Sequence, residues 1–177
     1  MKVICISGKA QHGKDTTANI LKDSLEARGD KVLITHYADL LKYICKSYFG
    51  WDGNKDEQGR QILQHVGTDV IRQKKPDYWV DFVSDFLNLF DDEWDWVLLP
   101  DTRFPNEVDV MRQRFGAIHL RVVRPGFESP LTEEQQNHPS ETALDEYFPD
   151  YYIENSGYYG ELVETVNTWI KETIYAD

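Results

Sequence analysis

Residues 6–17 read ISGKAQHGKDTT, follow the apolar run VICI, and contain the clearest chemical pattern in the sequence. Gly8, Gly13 and Lys14 match the phosphate-binding loop (P-loop) pattern G-x-x-x-x-G-K-[S/T]. In such loops the backbone N–H groups surround phosphate oxygens and the lysine reaches the terminal phosphates. The pattern predicts a nucleotide-phosphate site; the alternative is a glycine turn with a solvent-exposed lysine. The residues assigned to this site are Gly8, Lys9, Ala10, Gln11, His12, Gly13, Lys14, Asp15 and Thr16.

Asp15 occupies the position where the P-loop pattern has a serine or threonine. That residue normally places a hydroxyl on Mg²⁺, and a carboxylate is a charged oxygen ligand that Mg²⁺ also accepts. Asp15 and Thr16 are therefore the candidate metal ligands, with Thr16 also able to contact a phosphate oxygen. The alternative is that Asp15 only stabilises the N-terminus of the following helix. His12 is expected to point to solvent and to contribute through its backbone N–H.

A second group of chemically active residues lies in LLPDTRFPNEVD, where Asp101 ends an apolar run and Arg103 follows two residues later. In phosphoryl transfer, a carboxylate at this place can hold magnesium-bound water or orient the acceptor, and an arginine offsets phosphate charge. The alternative is an aspartate that caps the next helix and an arginine in a surface ion pair. The presence of a P-loop in the same chain favours the catalytic interpretation.

Apolar runs alternate along the chain with segments of helical periodicity, which predicts an α/β fold with a parallel sheet. The predicted strands are KVICIS, KVLITHY, WDWVLLPD, AIHLRVV and YYIEN. One predicted helix has an apolar stripe formed by Trp79, Phe82, Val83, Phe86, Leu87 and Phe90. Residues 125–141 hold three prolines and mostly polar residues, which indicates a mobile loop or lid.

The candidate residues follow the carboxyl ends of the predicted strands, and ligands bind beyond those ends in parallel α/β sheets. Segments 8–16, 37–42 and 101–103 are placed in this way, as are Arg124 and segment 155–157. We therefore expect residues far apart in sequence to meet at one edge of the sheet.

Composition narrows the class of protein. The 177 residues suit one globular domain, and the formal net charge of −12 disfavours binding to long nucleic acids or anionic membranes. The two cysteines, Cys5 and Cys45, have no metal-type or redox-type spacing, and Cys5 is expected to be a buried, inert thiol. No apolar run is long enough to span a bilayer, and because the first predicted strand begins almost at Met1 we expect no signal peptide. We expect a soluble protein of a reducing compartment.

Five segments together resemble the phage-type deoxynucleoside monophosphate kinases, which are P-loop kinases of the adenylate kinase type. These segments are GKDTTA, HVGTDVIR, YWV, PDTRFPNEVD and LRVVRPG. The family's P-loop carries G-K-D-T, so Asp15 agrees with it. The resemblance implies one P-loop kinase domain over residues 1–177, a three-layer sandwich with a five-stranded parallel sheet. It also implies a helical acceptor-binding insertion at about 38–92 and a short lid at about 124–146.

The resemblance further implies transfer of the γ-phosphoryl group of ATP, with Mg²⁺, to a deoxynucleoside monophosphate. Lys14 would bridge the phosphates, Arg103 would hold the acceptor phosphate, and Arg124 would be a lid arginine. The implied acceptor-site residues are Asp39, Lys42, Gln64, Thr68, Arg72, Trp79, Asp101 and Arg103. Asn155, Ser156 and Gly157 resemble a loop that touches adenine. Each assignment has an alternative: Lys42 could be solvated, Trp79 could pack in the core, Arg72 could be a surface charge, and residues 155–157 could form a simple turn.

Two other functions are compatible with the residues. One is a small-metabolite kinase of the same fold, of the phosphomevalonate or dephospho-coenzyme A type, and the other is a non-enzymatic nucleotide-binding switch. The stretch between the second strand and PDTR is shorter than in some phage enzymes, which leaves base specificity and quaternary structure open, including a possible homodimer. We expect small nucleotides as partners, and a cytoplasmic location (that of the host if the chain is phage-encoded).

Overall fold

The structure, a computed structural model, describes residues 1–176, in which five parallel strands form one sheet. The strands are β1 (Lys2–Ser7), β2 (Val32–Ile34), β3 (Trp96–Leu99), β4 (Ile118–Val123) and β5 (Tyr151–Glu154), in the spatial order β2-β3-β1-β4-β5. The central strand β1 is buried on both faces from Val3 onward, as its continuous apolar sequence predicts. The predicted α/β fold with a five-stranded parallel sheet is confirmed.

Helices cover both faces of the sheet and account for most of the remaining chain. They are α1 (Lys14–Glu26), α2 (Ala38–Tyr48), α3 (Glu57–Gln64), a π-helix (His65–Arg72), α4 (Tyr78–Leu89), α5 (Pro105–Phe115), α6 (Glu133–Gln136), α7 (Pro139–Thr142), α8 (Tyr159–Trp169) and a short π-helix (Ile170–Ile174). Ile4 and Ile6 pack with α1 and α8 on one face, and Val3 and Cys5 pack with α4 and α5 on the other. Alternate residues of β1 therefore belong to two separate cores.

Both thiols are buried, Cys5 in one of these two cores and Cys45 outside them. Cys5 is fully buried, and burial raises the pKa of its thiol to about 12, so the expectation of an unreactive cysteine agrees with its surroundings. Cys45 packs with Trp51 and Val66 in a third, smaller cluster beneath the helices that follow β2. Within residues 1–176, none of the helices is both long enough and apolar enough to cross a membrane.

Helix α4 differs from the sequence-based prediction in which of its apolar residues are buried. Trp79, Val83 and Leu87 are buried as expected, but the stripe also included Phe82, Phe86 and Phe90, and these are exposed. The ring of Phe90 packs against both Phe86 and Trp94, forming an aromatic cluster at the surface. Val80, which was not part of the predicted stripe, is buried, because only one side of α4 faces β1 and β3.

The segments nearest the site begin and end for local reasons. Strand β2 is shorter than the predicted KVLITHY, since the backbone N–H of Tyr37 already donates to Asp101 where α2 begins. Helix α5 begins with Pro105, and the Glu107 carboxylate accepts from the backbone N–H groups of Arg103 and Phe104. The PDTRFPNEVD segment thus leaves β3 through a tight turn that fixes the position of Arg103.

Candidate active site

The P-loop joins β1 to α1 and has the backbone expected of an anion-binding turn. Gly8 and Gly13 have positive φ angles of 147° and 102°, which side chains other than glycine rarely adopt. The Nζ atom of Lys14 donates to Gly8 O (2.7 Å) and Lys9 O (2.9 Å), so the lysine lies along the loop. Burial is the main cause that lowers the pKa of Lys14 to about 8, with the charge of Arg103 adding to it.

Asn155, which follows β5, supports the P-loop through a hydrogen bond to its backbone. Its Nδ2 atom donates to His12 O (2.9 Å), and its Oδ1 atom accepts from the backbone N–H of Gly157 (3.0 Å). A Cβ atom added to Gly13 would lie 2.5 Å from Asn155 Nδ2, so only glycine fits there. The structure thus places Asn155 and Gly157 beside the loop, whereas their contact with adenine stays a prediction.

His12 does not point to solvent, contrary to the sequence-based expectation. Its Nδ1 atom accepts from the backbone N–H of Arg124 (3.2 Å), and burial lowers the pKa of the imidazole. The Arg124 guanidinium lies over the ring of Phe127, 4.4 Å from its centroid, next to Gly157. The histidine therefore links the P-loop to the start of the segment predicted as a lid, through this hydrogen bond and an edge contact with the ring of Phe127.

Asp15 projects from the start of α1 and is 78% exposed. Its carboxylate lies 3.4 Å from His36 Nε2, and that hydrogen bond lowers the pKa of Asp15 and raises the pKa of His36. On its other side, His36 Nδ1 lies 3.2 Å from Asp39, which accepts from Lys42 Nζ (2.9 Å). Asp39 and Lys42 are thus connected to the P-loop through His36, a residue not included among the sequence-based candidates.

The oxygen atoms near Asp15 could hold a magnesium ion only if phosphate oxygens completed its coordination. Mg²⁺ commonly takes one or two carboxylates together with phosphate oxygens and water. Asp15 lines the same cavity as Lys14, while Thr16 is exposed and lies outside that lining within residues 1–176. The described part of the chain contains no group of three or more His, Cys, Asp or Glu side chains placed to hold a metal alone.

Asp101 caps a helix from the end of β3. Its two carboxylate oxygens accept from the backbone N–H groups of Tyr37 (3.1 Å) and Ala38 (2.9 Å) at the start of α2. Burial raises the pKa of this carboxyl. The alternative interpretation from sequence was that Asp101 caps the next helix, which is α5. In the structure Asp101 instead caps α2, which comes earlier in the chain.

Arg103 reaches from the PDTR segment to the lid. Its Nη1 atom donates to Ser140 O (3.0 Å) and to the carboxylate of Glu141. The other Glu141 oxygen accepts from the backbone N–H of Ala10 in the P-loop (3.0 Å). Three segments distant in sequence therefore meet at one carboxylate.

Arg72 and Trp79 are held by buried contacts on the side of the cavity formed by the helices that follow β2. Arg72 Nη2 donates to Glu107 (2.6 Å), and its guanidinium stacks 3.7 Å from the centroid of Phe104. Trp79 is 3% exposed and donates from Nε1 to Gly67 O (3.1 Å), which agrees with packing as its main role. Both nevertheless line the cavity.

One cavity of about 500 Å³ joins these groups at the carboxyl edge of the sheet. The sequence-based candidates that line it are Ala10, Gln11, Lys14, Asp15, Lys42, Gln64, Thr68, Arg72, Trp79, Asp101 and Arg103. The remaining candidates, which are not among its lining residues, are Gly8, Lys9, His12, Gly13, Thr16, Asp39, Arg124, Asn155, Ser156 and Gly157. The expected convergence at one edge is thus observed for residues from the P-loop, the helices after β2, and the PDTR segment.

Sequence reasoning missed several residues of this cavity, notably His36, Lys55, Gln135 and Glu141. Lys55 lies in a polar stretch with loop composition, where a lysine is usually solvated. Gln135 and Glu141 belong to two short helices, α6 and α7, in the segment predicted as a lid, and the sequence HPSE at residues 138–141 is the local feature that could have pointed to Glu141. In that sequence His138 has a capping role, since its Nδ1 atom accepts from the backbone N–H of Ser140 (3.2 Å).

Comparison with known proteins identifies the family. The family model described as "Deoxynucleotide monophosphate kinase" matches residues 51–166, more than half of the chain. The chain therefore belongs to the deoxynucleotide monophosphate kinase family. It is also 34% identical over 114 residues to the deoxynucleotide monophosphate kinase of Enterobacteria phage T4, a match that covers 63% of this chain and 45% of the relative. The chain thus spans about half the length of this curated relative.

Solved structures support the P-loop kinase fold of this family member. A sugar kinase from a Janibacter species has a TM-score of 0.57 at 14% identity, covering 99% of this chain and 98% of its own. Dephospho-CoA kinase from Campylobacter jejuni has a TM-score of 0.54 at 13% identity, covering 97% and 96%. Shikimate kinase from Aquifex aeolicus has a TM-score of 0.52 at 11% identity, covering 99% of both chains. At these identities the likeness concerns the fold alone.

Proposed function

We propose that this chain phosphorylates a deoxynucleoside monophosphate to the diphosphate with ATP as donor. The observation that carries the proposal is the single cavity in which Lys14 of the P-loop faces Arg103 and the helices that follow β2. A donor phosphate chain on the P-loop and an acceptor phosphate near Arg103 would then share one space. Membership of the deoxynucleotide monophosphate kinase family supports the same acceptor class.

The chain's own groups provide positioning and charge for this reaction. The P-loop N–H groups and Lys14 would hold the donor phosphates, and Arg103 would offset charge on the transferring group. Because an acceptor phosphate is already ionised at neutral pH, the reaction needs no strong general base. Asp15, with Thr16 as second candidate, would hold Mg²⁺ beside the phosphates, where the ion supplies charge neutralisation.

The acceptor nucleoside would lie between the P-loop and the helices that follow β2. Gln64 and Thr68 line this cavity together with Arg72 and Trp79, and Lys42 also lines it. Arg124 would approach the transferring group when the lid closes, since it stands at the first residue of the lid. Asn155 and Gly157 would lie near the donor base. The net charge of −12 supports free nucleotides, rather than long nucleic acids, as partners.

An acceptor panel tests this proposal. We would measure ADP release from ATP and Mg²⁺ with each of the common deoxynucleoside monophosphates, with dephospho-coenzyme A and with phosphomevalonate. We expect turnover with at least one deoxynucleoside monophosphate, and a loss of about 10²-fold or more in Lys14→Ala. Lys22→Ala is the matched control, because Lys22 lies on the same helix and pairs with Glu26 on the surface. Turnover confined to one of the other two acceptors would refute the proposal.

A further inference from the structure

The lid places a carboxylate inside the phosphate site. Glu141, on α7, has a side chain that is only 8% exposed, although it belongs to a polar surface segment. One of its oxygens pairs with Arg103, and the other accepts from the Ala10 N–H of the P-loop. Its charge also acts on Lys14, whose pKa it shifts upward against the larger effect of burial. The carboxylate therefore faces three of the groups that a phosphoryl group would use.

We propose that Glu141 is a positioning residue that acts as an internal substitute for the phosphoryl group. It holds Arg103 and the Ala10 N–H until a phosphate of higher charge displaces it. This inference rests on the proposed function, because it assigns Arg103 and the P-loop to phosphate binding. A carboxylate and a phosphate cannot share these donors, since two anions in contact repel each other strongly in a partly buried site. Binding of a phosphate chain must therefore release Glu141.

Helix α7 has other contacts that keep it in place without the Glu141 carboxylate. Lys9 Nζ donates to Glu141 O (2.6 Å) and to Asp145 (2.5 Å). Arg103 donates to Ser140 O (3.0 Å), and Arg121 donates to Leu144 O. Because these bonds use backbone carbonyls and a second carboxylate, substitution of the Glu141 side chain leaves most of the contacts that hold α7 intact.

The consequence is a selection of ligands by charge. An anion bearing one charge gains little by replacing a carboxylate that already satisfies the same donors. A polyphosphate gains more, since it carries several charges and also reaches Lys14. Glu141 thereby lowers the affinity of every anion that must displace it, and the same free-energy cost removes a larger share of the smaller binding free energy of a singly charged anion.

Calorimetric titration with inorganic tripolyphosphate tests this role without any acceptor. We would compare the wild-type chain with Glu141→Gln, Glu141→Asp and Glu134→Gln. Glu134→Gln is the matched control, since it makes the same change of charge at an exposed residue of the same lid. We expect Glu141→Gln to bind tripolyphosphate about five- to tenfold more tightly, the scale of one charge-assisted contact, and Glu134→Gln to stay within about twofold of wild type.

Equal or weaker binding by Glu141→Gln overturns the proposal, because a residue that merely supports the site would cause loss rather than gain. If thermal denaturation shows that Glu141→Gln is unfolded, Glu141→Asp decides. The carboxylate of this variant is carried by a side chain one methylene shorter. We expect the variant to bind tripolyphosphate more tightly than wild type, and the absence of any gain in affinity refutes the role. The titration is independent of the acceptor panel, so failure of the proposed function and failure of this inference are distinguishable.

Discussion

At the scale of single residues, the site is notable for how many of its charged groups already have partners. Lys14 donates to two backbone carbonyls, Arg103 pairs with Glu141, and Arg72 pairs with the buried Glu107. A buried charge without a partner costs several kcal/mol, so these pairs keep the cavity stable. Ligand binding at this site is therefore an exchange of contacts, and its free energy is the difference between old and new partners.

The pKa of Lys14 leads to a prediction about pH. Lys14 has a pKa of about 8 in this structure, because burial disfavours its charged form. A bound phosphate favours the charged form, so binding takes up a proton once the pH exceeds about 8. We expect the affinity for ADP to be greatest below that pH and to fall by at most about tenfold per pH unit above it. Titration calorimetry between pH 7 and 9.5 measures this.

The control for this prediction is Lys14→Ala. The variant should bind ADP more weakly at every pH, and its affinity should be flat across the same range, because the titrating group is gone. A parallel decline in the variant and the wild type would contradict the assignment, since the proton would then belong to another group.

Asp101 provides a prediction about stability. Both of its oxygens accept backbone N–H groups at the start of α2, and Asp101→Asn leaves an amide NH₂ facing a backbone N–H. We expect a loss of about 1–3 kcal/mol in the free energy of unfolding, measured in urea, as one buried donor loses its acceptor. Asp91→Asn, at an exposed position, should be neutral. Unchanged stability with loss of phosphoryl transfer would instead identify Asp101 as purely catalytic.

At the scale of elements, the sequence predicts those parts of the site that are continuous in the chain. The β1–P-loop–α1 unit is recognisable because an apolar run, two glycines and a lysine stand at fixed spacing. The contact of Glu141 with the P-loop is different, since it joins residues 131 positions apart through the packing of a short lid helix. No local pattern encodes such a contact, and the same holds for the capping of α2 by Asp101.

Helix α4 illustrates the other limit of sequence reasoning. Its aromatic residues at helical spacing predict one broad apolar face, but burial depends on which part of the helix the sheet reaches. Phe82 and Phe86 fall beyond that part and remain exposed. Periodicity indicates that a helix forms, whereas the direction of its buried face is decided by its neighbours.

Helix α3 gives a prediction about a single glycine, Gly59. A Cβ atom added to Gly59 would lie 2.0 Å from Asn54 O and 2.8 Å from Trp51 Nε1. Gly59→Ala must therefore displace backbone, and we expect a loss of about 1–3 kcal/mol in stability by thermal denaturation. The same displacement moves Lys55, a residue of the cavity, so the KM for the acceptor should rise.

Gly160 offers the matched control for this substitution. It also lies in a helix, near the start of α8, and a Cβ atom added there meets nothing within 4 Å. Gly160→Ala should raise stability by about 0.5–1 kcal/mol, because alanine has the higher helix propensity. Similar effects of the two substitutions would show that propensity, rather than the contact with Asn54, decides the outcome at Gly59.

At the scale of the whole molecule, charge is distributed unevenly. The chain carries 31 acidic and 19 basic residues, yet Lys9, Lys14 and Arg103 gather around one loop at the carboxyl edge of the sheet, with Arg121 and Arg124 beside them. An acidic surface with a basic cleft repels large polyanions and still admits a nucleotide, because the cleft's field dominates at short range. The excess of negative charge on the remaining surface also destabilises the folded chain through self-repulsion.

This self-repulsion predicts that salt stabilises the protein. Raising NaCl from about 0.02 to about 0.5 M shortens the Debye length from about 20 Å to about 4 Å and screens repulsion between distant carboxylates. Surface ion pairs such as Arg112–Asp150 and Arg114–Asp81 weaken at the same time, but each contributes about 1 kcal/mol at most. With a net charge of −12, the loss of repulsion should outweigh the loss of these pairs, so we expect Tm to rise by several degrees. Lys14→Ala should show the same rise, since the effect does not depend on chloride at the P-loop. A fall of Tm with salt would mean that local ion pairs dominate the electrostatics of the folded chain.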